Sequence, residues 1–191
     1  DIAVDHDVTV LADEIYDRIT YDADAVSLGS LDGMGERTVT LNGFSKAYAM
    51  TGWRLGYFAG PEEFVEQAAK IQSHSVTCAT NFVQRAGVTA LDECDDFVAE
   101  MRDAFADRRE LVVDLFADEG VDVPIGEGAF YAMIPVDDDD QEWCETAIEQ
   151  AHVAMVPGSA FGADGYARMS YAASDERLRE GVERLADAGM L

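Results

Sequence analysis

Apolar positions fall into two periods along the chain. Residues 8–12 (Val-Thr-Val-Leu-Ala), 38–41 (Thr-Val-Thr-Leu) and 54–59 (Arg-Leu-Gly-Tyr-Phe-Ala) are short, β-rich and nearly continuous. Runs of that kind predict buried strands of a parallel or mixed sheet. They end in Asp13-Glu14, Asn42-Gly43 and Gly60-Pro61, which are turn signals. Pro61-Glu62-Glu63 predicts a helix start, because Pro fits the first turn and acids complement the dipole. That helix is expected to reach about Gln72, and a second to cover residues 81–91. A polar break at 92–96 is followed by a three- and four-residue spacing of Phe97, Val98, Met101, Phe105, Val112, Leu115 and Phe116. This spacing predicts a long amphipathic helix over 96–119, stopped at Gly120. The last third alternates: strand 129–134, helix 141–151, strand 153–156, strand 168–171 and helix 175–188 with Ser174 as N-cap. The fold class is α/β. A partial mixed or parallel sheet is expected in residues 1–94, and a small α+β domain in 95–191.

Charge narrows the partners. The 191 residues carry 39 Asp+Glu against 13 Lys+Arg, a formal net charge of -26. Such a surface repels phosphate backbones and anionic lipid, so neither nucleic acid nor membrane is an expected partner. No apolar run approaches the roughly 20 residues of a membrane span. Eleven of the 13 basic residues are Arg, and Lys46 and Lys70 are the two lysines. A Lys-poor, carboxylate-rich surface fits a salt-accumulating cytoplasm, where self-repulsion is screened; an ordinary acidic protein is the alternative. The three cysteines, at 78, 94 and 144, form no Cys-x-x-Cys pair and imply a reducing, cytoplasmic compartment. They read as small buried hydrophobes. The histidines have no ligand spacing, and the four aspartates at 137–140 read as a solvated loop rather than a cation site.

One candidate site remains. Lys46 follows a strand in Gly43-Phe-Ser-Lys46-Ala, and Arg54 lies eight residues on. Asp13 closes an earlier strand, with Tyr16 three residues later. Turns after parallel strands form the ligand edge of an open α/β sheet. An amine, a carboxylate, a phenol, the Ser45 hydroxyl and a guanidinium could therefore meet at one edge. Pyridoxal phosphate needs this set: an amine for its aldehyde, an anion for its ring nitrogen and donors for its phosphate.

The residues around these positions resemble a known family. Ala12-Asp-Glu-Ile-Tyr16 resembles the ring-binding motif of the class I/II aminotransferases, which are fold type I pyridoxal-phosphate enzymes. Residues 42–57 (Asn-Gly-Phe-Ser-Lys-Ala-Tyr-Ala-Met-Thr-Gly-Trp-Arg-Leu-Gly-Tyr) resemble the family's Schiff-base segment. The 33-residue spacing from Asp13 to Lys46 also matches. Gly128-Ala-Phe-Tyr131, Val156-Pro-Gly158 through Phe161-Gly162 and Ala167-Arg-Met-Ser-Tyr171 are similar to later landmarks. The resemblance implies that Lys46 forms the Schiff base and then acts as general base. It also implies that Asp13 pairs with the pyridine nitrogen and Tyr16 donates to the ring oxygen. Ser45 and Arg54 would hold the phosphate, and Arg168 would grip the substrate carboxylate bidentately. Phe130 would line the side-chain pocket or serve as a core aromatic. Trp53 reads as structural. Gly43 stands where some members have Ser, which removes one phosphate hydroxyl. Residues 73–77 resemble a segment near the family's dimer interface.

The implied activity is transfer of an amino group between an α-amino acid and a 2-oxo acid, in a homodimer. The family's upstream cofactor contacts find no match, so the chain is expected to be the C-terminal half of a longer enzyme, marginal and inactive alone. A lyase, decarboxylase or synthase on the same fold, and a non-catalytic sensing domain of a transcription regulator, remain alternatives.

Overall fold

A computed structural model gives the fold of the chain and describes every residue except Ile125, Asp137 and Asp138. The chain divides into two compact units, Asp1–Arg102 and Asp103–Leu191.

The first unit opens with a short helix, α1 (Ile2–Asp5), and a three-stranded sheet of β1 (Val10–Asp13), β2 (Thr38–Gly43) and β3 (Gly56–Ala59). The order is β1-β2-β3. β1 runs parallel to β2, with Asp13 opposite Leu41, and β2 runs antiparallel to β3, with Gly43 opposite Gly56. The ends of β1 and β2 and the start of β3 therefore share one edge of the sheet. Helices α2 (Glu62–Ser75) and α3 (Asn81–Glu93) follow, with Pro61 at the α2 N-cap as the sequence predicts. Cys94 alone separates α3 from α4 (Asp95–Asp118), so the polar stretch 92–96 is a helix junction, not an open linker.

Two strand expectations need correction. β3 starts at Gly56, and Arg54 stands outside it in the left-handed region (φ 54, ψ 49). Within this chain β3 is also exposed throughout, and β1 has one buried residue, Ala12. Each is an edge strand with one neighbour, and only the central β2 carries buried residues at both ends. The core of this unit lies beside the sheet. Phe44, Ala47, Tyr48 and Met50, from the turn after β2, pack with Ala90 of α3 and Val98 of α4.

The second unit contains the rest of α4, then β4 (Tyr131–Pro135), α5 (Asp140–Thr146), β5 (Val156–Pro157), β6 (Tyr166–Ser170) and α6 (Asp175–Asp187). Its sheet has the order β4-β6-β5 and is antiparallel. Ala132 and Ile134 on β4, and Ala167 and Met169 on β6, alternate inward. That is the period-two pattern of a sheet covered on one face. Phe105, Val112 and Phe116 of α4 and Leu178, Val182 and Leu185 of α6 are buried at helical spacing. Ser174 caps α6 by accepting from the Arg177 N–H at 3.4 Å. Gly120 takes φ 84 just past α4, a conformation that favours glycine.

Several boundaries differ from expectation. Helix α5 stops at Thr146 and continues as a wider π turn over Ala147–Ala151. Phe130 precedes β4 instead of lying on it, because Ala129 turns the chain at φ 59. The aspartate run at 137–140 is partly described. Asp139 caps α5, accepting from the Gln141 and Glu142 N–H groups at 3.0 and 3.1 Å, and buried Asp140 accepts from the Ser159 N–H. Asp137 and Asp138 lie outside the described residues.

The cysteines divide by environment. Cys144 is buried, Cys94 half-buried and Cys78 exposed, so the reading of all three as buried hydrophobes fails at Cys78, which follows the end of α2. Burial first, and the Asp140 carboxylate second, push the Cys144 thiol above its ordinary value. Thiolate is the reactive form. In the native full-length protein a disulfide-exchange reagent at pH 8 is therefore expected to label Cys144 only on unfolding. Labelling of Cys144 in the folded protein at the rate of the unfolded chain would contradict this packing.

Candidate active site

The turn between β2 and β3 is built by its own apolar residues. Phe44, Ala47, Tyr48 and Met50 are buried, while Ser45 and Lys46 are half-exposed and Ala49 is exposed. Hydrophobic burial of four residues thus fixes which side chains of the turn face outward. The backbone closes on itself: the Met50 N–H donates to the Phe44 carbonyl and the Ala49 N–H to the Lys46 carbonyl, both at 3.1 Å. The Thr51 hydroxyl donates to the Ser45 carbonyl at 2.8 Å. Ala49 sits at φ 52, which costs an L-residue roughly 1–2 kcal/mol.

Lys46 and Tyr16 are brought together. The Lys46 Nζ stands 5.4 Å from the centre of the Tyr16 ring, within cation–π range. Asp13 ends β1 at the same sheet edge, and its Oδ1 accepts from the Ile15 N–H at 3.2 Å. Asp13 and Tyr16 line one cleft of about 310 Å³. Arg54 sits two residues before β3, is exposed, and donates through Nη1 to the Thr51 carbonyl at 2.9 Å. It lines a separate groove of about 840 Å³ together with Gly52, Trp53, Val76, Cys78 and Thr80. Trp53 is 47% exposed in that groove, so its expected structural role is not one of core packing. Thr77 has φ 64; a β-branched residue there is strained, as functional loops often are.

Gly43 has a packing reason of its own. A Cβ at this position would stand 3.0 Å from both the Gly56 Cα and the Leu55 carbonyl. The paired glycines let β2 and β3 approach closely where the Lys46 turn begins, and a serine would force the strands apart by a few tenths of an ångström.

In the second unit, Arg168 lies on β6 on the face opposite Ala167 and Met169. Its guanidinium carbon is 3.8 Å from the Phe161 ring centre and 4.4 Å from that of Tyr131. Two aromatic faces hold a cation in one orientation. Phe130 is half-buried against Phe105, with ring centres 5.1 Å apart, and against Tyr131 at 4.9 Å. It therefore packs at the margin of this unit's core, with part of the ring exposed.

The polar network under the Lys46 turn has no counterpart among the expected site residues. Asn42 Nδ2 donates to Asp17 at 2.8 Å. Arg18 donates to the Tyr48 hydroxyl at 3.2 Å and to Asp95 at 2.7 Å. Glu14 accepts from the Ser27 hydroxyl and the Leu28 N–H. Asp95 is 77 residues from Arg18, and no local pattern announces such a pair.

Among the described residues, no helix is long and apolar enough to cross a membrane, and no group of three or more His, Cys, Asp or Glu is placed to hold a metal ion. What the first unit presents is a lysine in the turn at one edge of an α/β sheet, beside a tyrosine ring and with a carboxylate ending the neighbouring strand. Residues 1–185 match the family model of aminotransferase class I and II, and the chain belongs to that family. It is 43% identical to aromatic-amino-acid aminotransferase 2 of Thermococcus litoralis, over 97% of this chain and 50% of the relative. It is 42% identical to the aspartate aminotransferase of Pyrococcus abyssi, over 97% and 50%. Among solved structures, the aromatic aminotransferase from Pyrococcus horikoshii OT3 superposes with a TM-score of 0.94 at 40% identity, covering 100% of this chain and 54% of that one. The Thermus thermophilus aspartate aminotransferase with maleate gives 0.92 at 37%, covering 98% and 50%. The chain spans about half the length of the curated relatives it matches.

Class I/II aminotransferases depend on pyridoxal phosphate. The donor set fits that group: Lys46, Asp13, Tyr16, Ser45 and Arg54 all belong to segments that end or begin at one sheet edge, and side-chain-free Gly43 and Gly56 keep that edge narrow.

The left-handed backbone at Arg54 separates its two contributions. Arg54→Gly relieves the strain while deleting the guanidinium. The cofactor-free full-length protein is expected to be as stable as the parent or up to about 1 kcal/mol more stable in urea unfolding. A clear loss of stability would mean that the Arg54 side chain, not the neighbouring packing, holds the turn.

Proposed function

We propose that the full-length protein is a pyridoxal-phosphate-dependent aminotransferase that moves an amino group between an α-amino acid and a 2-oxo acid. The observation that carries this reading is Lys46, held half-exposed beside Tyr16 by a turn whose neighbouring residues are locked into the core. Residues 1–94 would be the C-terminal part of the large cofactor domain and 95–191 the small domain. Lys46 would hold the cofactor aldehyde through its amine. Asp13 would pair with the protonated ring nitrogen, Tyr16 would donate to the ring oxygen, and Ser45 and Arg54 would bind the phosphate. When bound, the cofactor supplies an electron sink for the pair left at the substrate Cα. Lys46 Nζ, displaced by the substrate amine, would then accept the Cα proton as general base. Arg168, oriented by Phe161 and Tyr131, would hold the substrate carboxylate and so fix the Cα–H bond for removal.

Aspartate and aromatic amino acids are the substrates to try first, since the relatives' names cover both. The exposed Trp53, Phe82, Val88, Leu91 and Phe97 offer an apolar face to the rest of the full-length chain or to a second copy in a homodimer. The -26 net charge and the 11:2 ratio of Arg to Lys support a salt-rich cytoplasm.

Three outcomes test this. The full-length protein with pyridoxal phosphate, an amino acid and a 2-oxo acid should release the 2-oxo acid matching the amino acid supplied, and Lys46→Ala should abolish that turnover. Consumption of the amino acid with no matching 2-oxo acid would favour a lyase or decarboxylase instead. Arg168→Leu should raise the amino-acid KM on the order of 10- to 100-fold, the worth of a charged hydrogen bond, and an unchanged KM would remove Arg168 from the substrate site. The melting temperature should climb between about 0.1 M and about 1 M KCl, as the Debye length falls from about 10 to about 3 Å; a flat response would indicate an ordinary acidic protein.

A further inference from the structure

Arg18 occupies an unusual place beneath the site. It lies in the turn after β1, two residues beyond Tyr16, and its guanidinium reaches two other elements at once. One arm donates to the Tyr48 hydroxyl at 3.2 Å and another to Asp95 at the start of α4 at 2.7 Å. Tyr48 is buried, packs against Phe44 with ring centres 5.3 Å apart and the planes tilted by 38°, and stands two residues after Lys46 in the same turn. The neighbouring Asp17–Asn42 bond, at 2.8 Å, joins the same two loops a second time. An exposed ion pair contributes little stability by itself. Arg18 is 41% exposed and Asp95 69%, so fold stability is a weak reason for the arrangement. Its geometry does something more specific: it ties the turn carrying Tyr16, the turn carrying Lys46 and the first residue of α4 into one unit.

We propose that Arg18 is a positioning residue for Lys46, acting through the Tyr48 hydroxyl, with Asp95 holding the guanidinium in place. This rests on the reading of Lys46 as the reacting amine. Arg18 is not among the residues lining the cleft of Asp13 and Tyr16. The Asp95 carboxylate, through its hydrogen bond, holds the Arg18 pKa above its ordinary value, consistent with a permanently charged strut. Loss of the strut frees the Tyr48 end of the turn and changes the presentation of the Lys46 amine.

The test uses the cofactor-free full-length protein and a lysine-acetylating reagent, with acetylation of Lys46 measured against Lys70 by mass spectrometry. Arg18→Leu and Tyr48→Phe should each shift the Lys46-to-Lys70 rate ratio by about fivefold, the equilibrium factor of one net hydrogen bond. The double variant should shift it no further. Arg18→Lys, which keeps charge and a donor, should restore the ratio to within about twofold of the parent, on the same hydrogen-bond scale. Tyr48→Phe removes one oxygen from a buried ring, so it reports even if Arg18→Leu folds poorly. An unchanged ratio in Tyr48→Phe, or additive shifts in the double variant, would overturn the proposal and leave Arg18 a structural residue. Pyridoxal phosphate added to the parent supplies the separate control. Protection of Lys46 with an unchanged variant ratio defeats only the Arg18 proposal, whereas no protection of Lys46 defeats the functional reading beneath it.

Discussion

Everything at the candidate site depends on how the turn after β2 is anchored. Four of the seven residues from Phe44 to Met50 are buried, packed with Ala90 and Val98. Burial of an apolar side chain contributes about 1.5–3 kcal/mol, so these four outweigh the left-handed strain at Ala49. The same packing leaves Ser45 and Lys46 at the surface of the turn with little freedom to reorient. A reacting amine gains from such preorganisation, because its placement is fixed before substrate arrives. The two glycines, Gly43 and Gly56, complete the constraint by letting the strands that flank the turn come close.

The sheet supplies the second constraint. β1 and β2 are parallel, so their ends fall at one edge, and the antiparallel β3 begins there. Asp13 lies 33 residues before Lys46, and parallel pairing of β1 with β2 brings it to that edge; Arg54, eight residues after Lys46, sits in the same β2–β3 connection. Arg54 reaches it from a left-handed residue rather than from a strand, and strain of that kind is tolerated where surrounding contacts over-determine the backbone. In the second unit, Arg168 is oriented by a different means. Its neighbours on the outward face of the sheet are aromatic rings instead of carboxylates, so the cation is positioned without being neutralised by any ion pair among the described residues.

The sequence made part of this legible. Strand ends at Asp13 and Gly43, the Pro61 start of α2, the Ser174 cap and the long helix ending before Gly120 were all written in local chemistry: turn residues, caps and helical spacing. Lys46 was conspicuous because lysine is rare in this chain, and its flanking motif tied it to a known cofactor chemistry. What local patterns missed was tertiary. The apolar run at 54–59 predicted a buried strand, and within this chain, which spans half the length of its relatives, the β3 residues are exposed. The position before β4 reads as strand, but Ala129 turns there. Phe130 left two readings open, and its half-buried contact with Phe105 is compatible with both. The Arg18–Asp95 pair spans 77 residues, and a single sequence carries no periodicity over such a distance. Asp139 and Asp140 resembled a featureless acidic run until their roles as helix cap and buried acceptor were seen.

The most direct measurement is chemical. The full-length protein would be incubated with pyridoxal phosphate in high salt, reduced with borohydride and digested, and the modified residue located by mass spectrometry. The account predicts cofactor mass on Lys46. Label on Lys70 alone, or no label, would contradict the assignment of Lys46 and with it the proposed activity.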